Sequence, residues 1–248
     1  MSKRRETPLE KIFIESHHCT IDLRLEMLSQ APFFKGLDPE MLREVNKRFS
    51  ATHFEAGEMI YYEDEPALRL RVVVSGKVKL MRHTEEGKDV LIDMLKPGEF
   101  FGTLSHLGGE VYSETATSQT HTCILSIDSQ AFRDILTQYP VVAVNVLDIM
   151  AGRLQASRDS LFELSTLPVD QRIARILYRL AEKFGEQDDE FGLLIQMPLT
   201  RKDLADMAAT TTETASRVIS RLKKDGIIHA GRQWIAIEDL QELETLSA

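Results

Sequence analysis

The chain has 248 residues, of which 43% are hydrophobic and 28% are charged, and its formal net charge is −9. This length is typical of one large or two modest domains, and the composition can fill their cores. The sequence has no run of about 18 apolar residues and no secretory leader, so it predicts neither a membrane span nor export.

Residues 1–30 form a polar leader with some helical character, and residues 32–49 predict a short helix after a turn. Two cysteines are too few for a disulfide framework and favour a reducing, cytoplasmic location. A mixed metal site is conceivable at His17, His18, Cys19 and Cys123. A polar leader and a small buried side chain explain these residues more simply.

Short apolar runs alternate with turn residues between positions 53 and 127. The runs lie at 58–61, 70–74, 77–81, 90–95 and 121–127. Glycines punctuate them from Gly57 to the pair at 108–109. Many short strands at even spacing predict an antiparallel sandwich or roll.

A long helix is predicted from Pro140 to about Ser165, because proline suits a first helical turn. Its apolar positions form two stripes, one at Val142, Val146 and Ile149 and the other at Leu147, Ala151, Leu154 and Leu161. One stripe can cover the roll, and the other can pair with a second copy of the helix. A core helix within a single subunit is the alternative. After a break at 166–168, residues 169–184 begin a C-terminal domain, and 186–190 read as an acidic, solvated loop.

Residues 200–231 carry the most specific pattern, two short helices joined by a tight turn and followed by a hairpin. The first helix opens at Thr200 with Asp203 three residues on, which resembles a capping box. The second starts near 210–213, buries Val218, Ile219 and Leu222, and exposes Glu213, Ser216, Arg217 and Ser220. This order predicts a winged helix-turn-helix, whose second helix reads base edges in a major groove. A solvated helix in any helical domain is the alternative.

The charge distribution supports DNA binding although the net charge is negative. Residues 197–235 contain seven basic and four acidic side chains, which gives +3 and leaves −12 for the rest. A basic face can dock on phosphates while acidic surface elsewhere limits nonspecific binding. A mixed-charge, solvated surface would also be consistent with these numbers.

The pattern Glu213-x-x-Ser216-Arg217 resembles the recognition helix of the CRP/FNR family of bacterial transcription regulators. It is nearer to the FNR branch, because the CRP branch usually has Arg-Glu-x-x-Gly-Arg, whereas Thr212 and Ser216 stand here. The order of glycine motifs from Gly57 to Gly102 is similar to the family's cyclic-nucleotide-binding-like roll. The resemblance runs from about 33 to 234.

This resemblance implies an α+β fold in four parts. After the leader at 1–30 come an antiparallel β-roll at 31–138, a dimerisation helix at 139–166 and a winged helix-turn-helix domain at 167–248. It also implies a cytoplasmic homodimer that binds double-stranded DNA at an inverted repeat of TTGAT-like half-sites, and it leaves open whether this dimer is an activator or a repressor. RNA polymerase is a further expected partner, through the loop at 83–88.

The expected DNA contacts fall into two sets. Base contacts are assigned to Thr212, Glu213, Ser216 and Arg217. Phosphate contacts are assigned to Thr200, Arg201, Thr211, Thr214, Arg221 and Lys224.

The signal is less well defined by the sequence. In cAMP-binding members the phosphate loop carries Gly-Glu-Leu and a later Arg-Ser, where this chain has Gly102-Thr103-Leu104 and Tyr112-Ser113. No Arg or Lys lies between Lys96 and Arg133, and a buried phosphate without a cation is costly, which argues against cAMP. The expected pocket comprises Gly102, Thr103, Leu104, Ser113, His121, Leu154 and Ser157, of which Ser157 matches a position that contacts adenine.

Other signals remain open. A four-cysteine iron–sulfur cluster does not fit two cysteines. Haem is an option, because His121 alternates with Cys123, Leu125 and Ile127 and so is expected to face the roll interior, with His106 in the adjacent loop. An unidentified small molecule, gas or redox signal, or no ligand, is also compatible.

Two other classes of function fit the sequence less well. An enzyme on a cupin-like roll needs clustered metal ligands, but His53, His83, His106 and His121 are scattered, and no nucleophile elbow or phosphate-binding glycine loop occurs. A cyclic-nucleotide-binding module without DNA binding is opposed by the polar face at Glu213 and Arg217. The sequence therefore predicts a regulator and no enzyme.

Overall fold

The computed structural model of the chain describes residues 8–9, 19–85, 87, 89–102 and 111–247. His17, His18, Thr103, Leu104 and His106 lie outside these ranges. The described residues form two compact units, one within 12–157 and the other within 158–248.

The N-terminal unit contains helices and two four-stranded antiparallel sheets. Its helices are α1 (Ile21–Gln30), a 3₁₀ turn (Pro32–Phe34), α2 (Pro39–Asn46), α3 (Ser129–Gln138) and the first part of α4 (Pro140–Thr166). Its strands are β1 (Ser50–Phe54), β2 (Met59–Tyr61), β3 (Arg69–Ser75), β4 (Val78–His83), β5 (Asp89–Leu95), β6 (Phe100–Gly102), β7 (Thr115–Ser118) and β8 (Thr122–Asp128). The strand orders are β1-β8-β3-β6 and β2-β7-β4-β5, which confirms the antiparallel roll.

The sheet that contains β3 and β8 has a different core on each face. Leu70 and Val72 on β3 pack against the helices, whereas Val73 packs inside the roll with Tyr61. Successive side chains of a strand point to opposite faces, so Arg71 shares the inner face with Val73. The same alternation directs Cys123, Leu125 and Ile127 on β8 toward the helices.

Several elements have no counterpart in the predicted pattern. Strands β1, β6 and β7 and helix α3 were not expected. The segment Ile21–Gln30, assigned to the leader, is helical and buries Met27 and Leu28 in the core beside α2. Helix α1 therefore belongs structurally with the roll.

The two stripes of α4 differ in burial as the sequence predicted. Val142 is fully buried, and Val146 and Ile149 pack against the core of the roll unit. The other stripe is solvent-exposed, with 68% of Leu147, 57% of Leu154 and 63% of Leu161 accessible. No single described helix has both the length and the apolar composition to cross a membrane; α3 and α4, bent by 115°, meet those two criteria only as a pair.

The C-terminal unit combines helices with one small antiparallel sheet. Its elements are α5 (Val169–Phe184), β9 (Gly185–Asp188), β10 (Gly192–Ile195), α6 (Arg201–Met207), α7 (Thr212–Lys224), β11 (Ile228–Gly231), β12 (Trp234–Ile237) and α8 (Leu240–Ser247). The strand order is β11-β12-β10-β9. The expected acidic loop is wrong over Glu186–Asp188, because these residues pair with β10 as an edge strand.

Candidate DNA interface and sensor site

Helix α6 begins with the predicted capping box. The backbone N–H of Asp203 donates to the Thr200 hydroxyl at 3.1 Å, and the Asp203 carboxylate accepts from the Thr200 backbone N–H at 2.9 Å. The Thr200 hydroxyl also donates to that carboxylate at 2.7 Å. These bonds satisfy donors that a helix start leaves unpaired. The Thr200 side chain is thus engaged within the protein before any phosphate arrives.

The turn between α6 and α7 is tight. The Thr210 N–H donates to the Ala205 carbonyl at 2.9 Å, and Ala209 adopts a φ of 46°, in the left-handed region. Small side chains tolerate that conformation better than branched ones. The turn therefore fixes where α7 starts, at the N-cap Thr211.

Helix α7 has one buried face and one exposed face. Its buried side chains are Ala215, Val218, Ile219 and Leu222. On the other side Thr212, Glu213, Arg217 and Ser220 are exposed, and Ser216 is half-buried. All four expected base-reading side chains thus lie on the solvent side of one helix.

A hydrogen-bond relay runs along the start of α7 to Arg217. The Thr211 hydroxyl accepts from the Thr214 backbone N–H at 3.2 Å and is bonded to the Thr214 hydroxyl at 3.0 Å. The Arg217 Nη2 in turn donates to that Thr214 hydroxyl at 3.2 Å. The relay restricts the guanidinium rotamer, and an oriented fork matches the two acceptors of guanine.

The arginine one turn further along α7 is paired within the domain. Arg221 Nη2 lies 2.7 Å from a carboxylate oxygen of Asp170 on α5, and about half of each side chain is exposed. A cleft of about 330 Å³ beside this pair is lined by Asp170, Thr214, Arg217, Val218 and Arg221. Arg221 must therefore share its charge between Asp170 and any phosphate.

The remaining expected phosphate contacts differ in their surroundings. Lys224 is exposed at the end of α7, while its neighbour Lys223 donates to the Ala230 carbonyl at 3.1 Å and ties the helix to the hairpin. Arg201 is half-buried at the start of α6, and burial lowers the pKa of its guanidinium. Lys224 is the more accessible of the expected cations.

Inside the roll, an arginine that the sequence analysis missed lies against two tyrosines. Arg71 Nη1 donates to the Tyr112 hydroxyl at 2.6 Å, and its guanidinium carbon lies 4.7 Å from the centre of the Tyr61 ring. The two tyrosine rings stack with centroids 3.9 Å apart. Burial, followed by the nearby carboxylate of Glu114, raises the pKa of Tyr61.

Arg71 places a cation next to the glycine loop, where the sequence had shown none nearby. No basic residue lies near the glycine loop in sequence, but antiparallel pairing brings β3 beside β6, with Leu70 opposite Gly102. Gly102 has a φ of 85°, and a Cβ there would lie 2.6 Å from the Arg69 carbonyl and 3.5 Å from the Arg71 guanidinium. The alternation of Arg69, Arg71 and Val73 along a strand was the signal that could have found it.

The other expected pocket residues are not drawn together in the described part of the chain. Ser113 is exposed and donates to Glu114, and Leu154 and Ser157 are exposed on α4. The expectation that His121 faces the roll interior is wrong. Its Nδ1 lies 2.8 Å from Glu55 near the surface, because the alternation it shares with Cys123 leads to the helix side of the sheet. His121 therefore does not fit a haem ligand.

The cysteines also differ from expectation, because Cys19 and Cys123 form a disulfide. Packing of α1 on the roll brings their Cα atoms within 6.4 Å, although 104 residues separate them in sequence. Neither is a free thiolate here, so an iron–sulfur cluster does not fit these residues.

Comparisons with known proteins support both units. A profile described as a cyclic nucleotide-binding domain matches residues 51–139, and one described as a Crp-like helix-turn-helix domain matches residues 171–246. The CRP-like cAMP-activated global transcriptional regulator of Mycobacterium tuberculosis is 28% identical over 218 residues, 88% of this chain and 97% of that protein. The transcriptional activator FnrL of Cereibacter sphaeroides is 24% identical over 194 residues, 77% of each chain. The structure of FixK2 from Bradyrhizobium japonicum is 25% identical, with a TM-score of 0.71 over 81% of this chain and 98% of that one.

A nucleotide-binding-like roll and a Crp-like helix-turn-helix in one chain define a DNA-binding transcription regulator with an effector-binding domain. The chain belongs to the CRP/FNR family. The predicted α+β fold, with its roll, long helix and winged helix-turn-helix, is confirmed. The relatives are regulators and not enzymes, so the cupin-like enzyme and the module without DNA binding are both set aside.

Proposed function

We propose that the protein acts as a homodimer and reads an inverted repeat of TTGAT-like half-sites, with a signal received at the roll. The observation that carries this proposal is the exposed polar face of α7, on which the Thr211–Thr214 relay orients Arg217. The proposal places a sensor domain at 31–138, joined by α1, a dimerisation helix at 139–166 and a DNA-binding domain at 167–248.

The base-reading roles follow from side-chain chemistry. Arg217 donates two bonds to a guanine, a contact that is worth about 1–3 kcal/mol of discrimination. Glu213 accepts from a cytosine amino group or orients Arg217, while Ser216 and Thr212 approach thymine or adenine. The choice of an FNR-like half-site rests on the resemblance of Glu213, Ser216 and Arg217 to that branch.

The phosphate-binding roles surround this face. Thr211 and Thr214 lie at the amino end of α7, where unpaired N–H groups and the helix dipole favour an anion. Arg221 and Lys224 flank the helix further along, and Thr200 and Arg201 contribute from the start of α6. Lys224 is the contact with the least competition from the protein itself.

Dimer formation is supported by the exposed stripe of α4. Leu147, Ala151, Leu154 and Leu161 follow the three- and four-residue spacing of a coiled-coil seam. Exposed leucines at that spacing gain most by packing against an identical stripe. A parallel pair of α4 helices would present two copies of α7 to one duplex. Within the cell this complex would act in the cytoplasm, with RNA polymerase contacted through the loop at 83–88.

A cAMP-type anion is one candidate for the signal that the roll receives. A relative described as cAMP-activated aligns over most of this chain. Arg71 could neutralise a phosphate if Tyr112 released its guanidinium. Calorimetric titration with cAMP tests this candidate, since binding that Arg71→Ala removes would favour it, and absence of heat in the native protein would reject it.

The DNA-binding proposal is tested by fluorescence anisotropy with three duplexes of equal length. One carries the inverted TTGAT repeat, one has a single half-site scrambled, and one has both scrambled. We expect affinity to fall at each step, because each half-site is read by one α7 helix. Equal affinity for all three duplexes across a salt series would contradict sequence-specific reading.

A further inference from the structure

Two sulfur-bearing side chains and one imidazole meet where α1 begins beside the edge of the roll. Cys19 is bonded to Cys123, and His53 lies directly opposite Cys123 in the β1–β8 register. The imidazole nitrogen and the two sulfur atoms all lie within 4.8 Å of one another. None of the three belongs to the DNA interface or to the Arg71 cluster.

The three side chains differ sharply in access to solvent. Cys123 is fully buried among Leu125 and other apolar residues, Cys19 is half-buried, and His53 is exposed. Cys19 is therefore the more accessible of the two cysteines to a small polar oxidant or reductant. The pair therefore has one accessible and one shielded sulfur, as in pairs where one thiol reacts and the other resolves.

Cys19 lies beside a helix amino terminus and an imidazole. Cys19 precedes Thr20, the N-cap of α1, and the amino end of a ten-residue helix carries partial positive charge. A nitrogen of the His53 imidazole lies within 4.8 Å of the Cys19 sulfur. Thiolates are the nucleophilic form of cysteine, and a helix amino terminus stabilises negative charge.

We propose that Cys19 and Cys123 form a reversible thiol–disulfide redox switch. In the oxidising direction the Cys19 thiolate attacks a hydroperoxide, ROOH, and the O–O bond breaks. Cys19 becomes the sulfenic acid, and the released alkoxide takes up a proton and leaves as ROH. The Cys123 thiol then attacks the Cys19 sulfur, and the S–S bond forms with release of water. Two electrons pass from the two sulfurs to the peroxide. A small dithiol reverses this oxidation by thiol–disulfide exchange at the Cys19 sulfur. The dithiol is itself oxidised to a disulfide, and Cys19 and Cys123 return to thiols.

The disulfide controls how the first turn of α1 is held. Without it, the helix keeps the Thr20 cap, the bond from Arg24 to the Phe49 carbonyl at 2.9 Å, and the buried side chains Met27 and Leu28. Of these anchors only the Thr20 cap lies in the first turn, so reduction removes the covalent tie between that turn and the roll. A disulfide in a protein that works in a reducing compartment is most often a redox sensor of this kind. The regulatory output rests on the proposed function, while the thiol chemistry does not.

The test uses the full-length protein, reduced, desalted under nitrogen and treated with hydrogen peroxide. Samples are quenched with a maleimide in a denaturant, so that the buried Cys123 is also labelled, and weighed intact. We expect two adducts before oxidation, none after it, and two again after dithiothreitol. In Cys123→Ala, which keeps a small apolar side chain in the core, Cys19 should accumulate as a sulfenic acid that dimedone traps. In Cys19→Ser, Cys123 should stay unreacted under the same exposure, and His53→Gln should slow oxidation about tenfold.

Four outcomes would overturn the switch. The first is two maleimide adducts after excess peroxide, and the second is a disulfide that dithiothreitol leaves intact in the folded protein. The third is thiols that react only after a chelator removes bound metal. The fourth is equal DNA affinity of the oxidised and reduced forms. We expect the two forms to differ in affinity about fivefold or more. Absence of specific binding in both forms would contradict the proposed function instead and leave the mass measurements interpretable.

Discussion

Helices α4 and α7 each bury one face and expose another, but the exposed faces are chemically opposite. On α4 the exposed face consists of leucines, with more than half of Leu147, Leu154 and Leu161 accessible. On α7 the exposed face carries Glu213 and Arg217. A single period of 3.6 residues therefore produces two different unpartnered surfaces in one chain.

The difference indicates what each surface binds. Apolar area gains free energy when it leaves water, at roughly 25 cal/mol per Å², and this gain needs no particular geometry. Polar groups gain only where a partner replaces their water with matching donors and acceptors. The difference supports the proposal that the α4 stripe pairs with a copy of itself and that the α7 face reads the base edges of DNA.

The largest effect is expected from placing charge in the apolar stripe. The double substitution Leu154→Glu and Leu161→Glu should convert the dimer to a monomer, because paired carboxylates would face one another in the seam. Loss of bivalency should weaken binding to the inverted repeat by about 10² to 10⁴-fold. Analytical ultracentrifugation and anisotropy measure the two effects.

Ala156→Glu is the matched control, since Ala156 is also exposed on α4 but lies off the stripe. It should leave the mass and the affinity unchanged. A double variant that stayed dimeric would show that the exposed leucines serve another purpose.

The next largest effect concerns Arg217 on the polar face. Arg217→Ala should abolish preference at the guanine of each half-site, a loss of about 1–3 kcal/mol or roughly 5- to 150-fold. Arg217→Lys keeps the charge but not the fork, so it should retain the salt dependence while losing most of the selectivity. Competition binding with guanine-substituted duplexes checks both, and unchanged selectivity in Arg217→Ala would refute its role.

A smaller effect is expected at the N-cap of α7. Thr211→Ala removes the acceptor for the Thr214 N–H and the support of the relay, and should lower the free energy of unfolding by about 1 kcal/mol. Thr212→Ala is the control, because Thr212 is exposed in the first turn and no cap bond depends on it. Urea denaturation followed by circular dichroism compares the two; equal stabilities would argue against the cap.

The smallest effect is expected at Lys224. Lys224→Ala should weaken binding to all sequences alike and reduce the slope of log K against log salt by about 1. Lys47→Ala, on the exposed surface of α2, should leave that slope unchanged. A loss confined to the TTGAT repeat would mean that Lys224 contacts a base and not a phosphate.

The sequence predicted the C-terminal unit well because its signals are local. The capping pair Thr200 and Asp203, the small residues of the turn and the stripe through Ile219 each act within a few positions of one helix. The roll was harder, since strand β7 (Thr-Ala-Thr-Ser) has no large apolar side chain and β1 is mostly exposed. Pairing with neighbours, and not intrinsic propensity, holds those strands in place.

Long-range contacts explain the site residues that sequence reasoning missed. Arg71 meets Tyr112 from 41 positions away, and Cys19 meets Cys123 from 104. Period-two alternation placed His121 and Cys123 on one face of a strand but did not identify which core that face contacts. Choosing between the faces requires the packing of α1, α3 and α4, which no local pattern contains.

The central claim, that paired α4 stripes deliver two α7 helices to one duplex, is tested most directly by half-site spacing. Sedimentation of the complex should give two chains per inverted repeat when the half-sites are about 10 base pairs apart, centre to centre. Inserting about half a helical turn should move one half-site to the far face of the DNA and reduce the affinity to that of a single half-site. One chain per duplex, or affinity indifferent to the insertion, would contradict the claim.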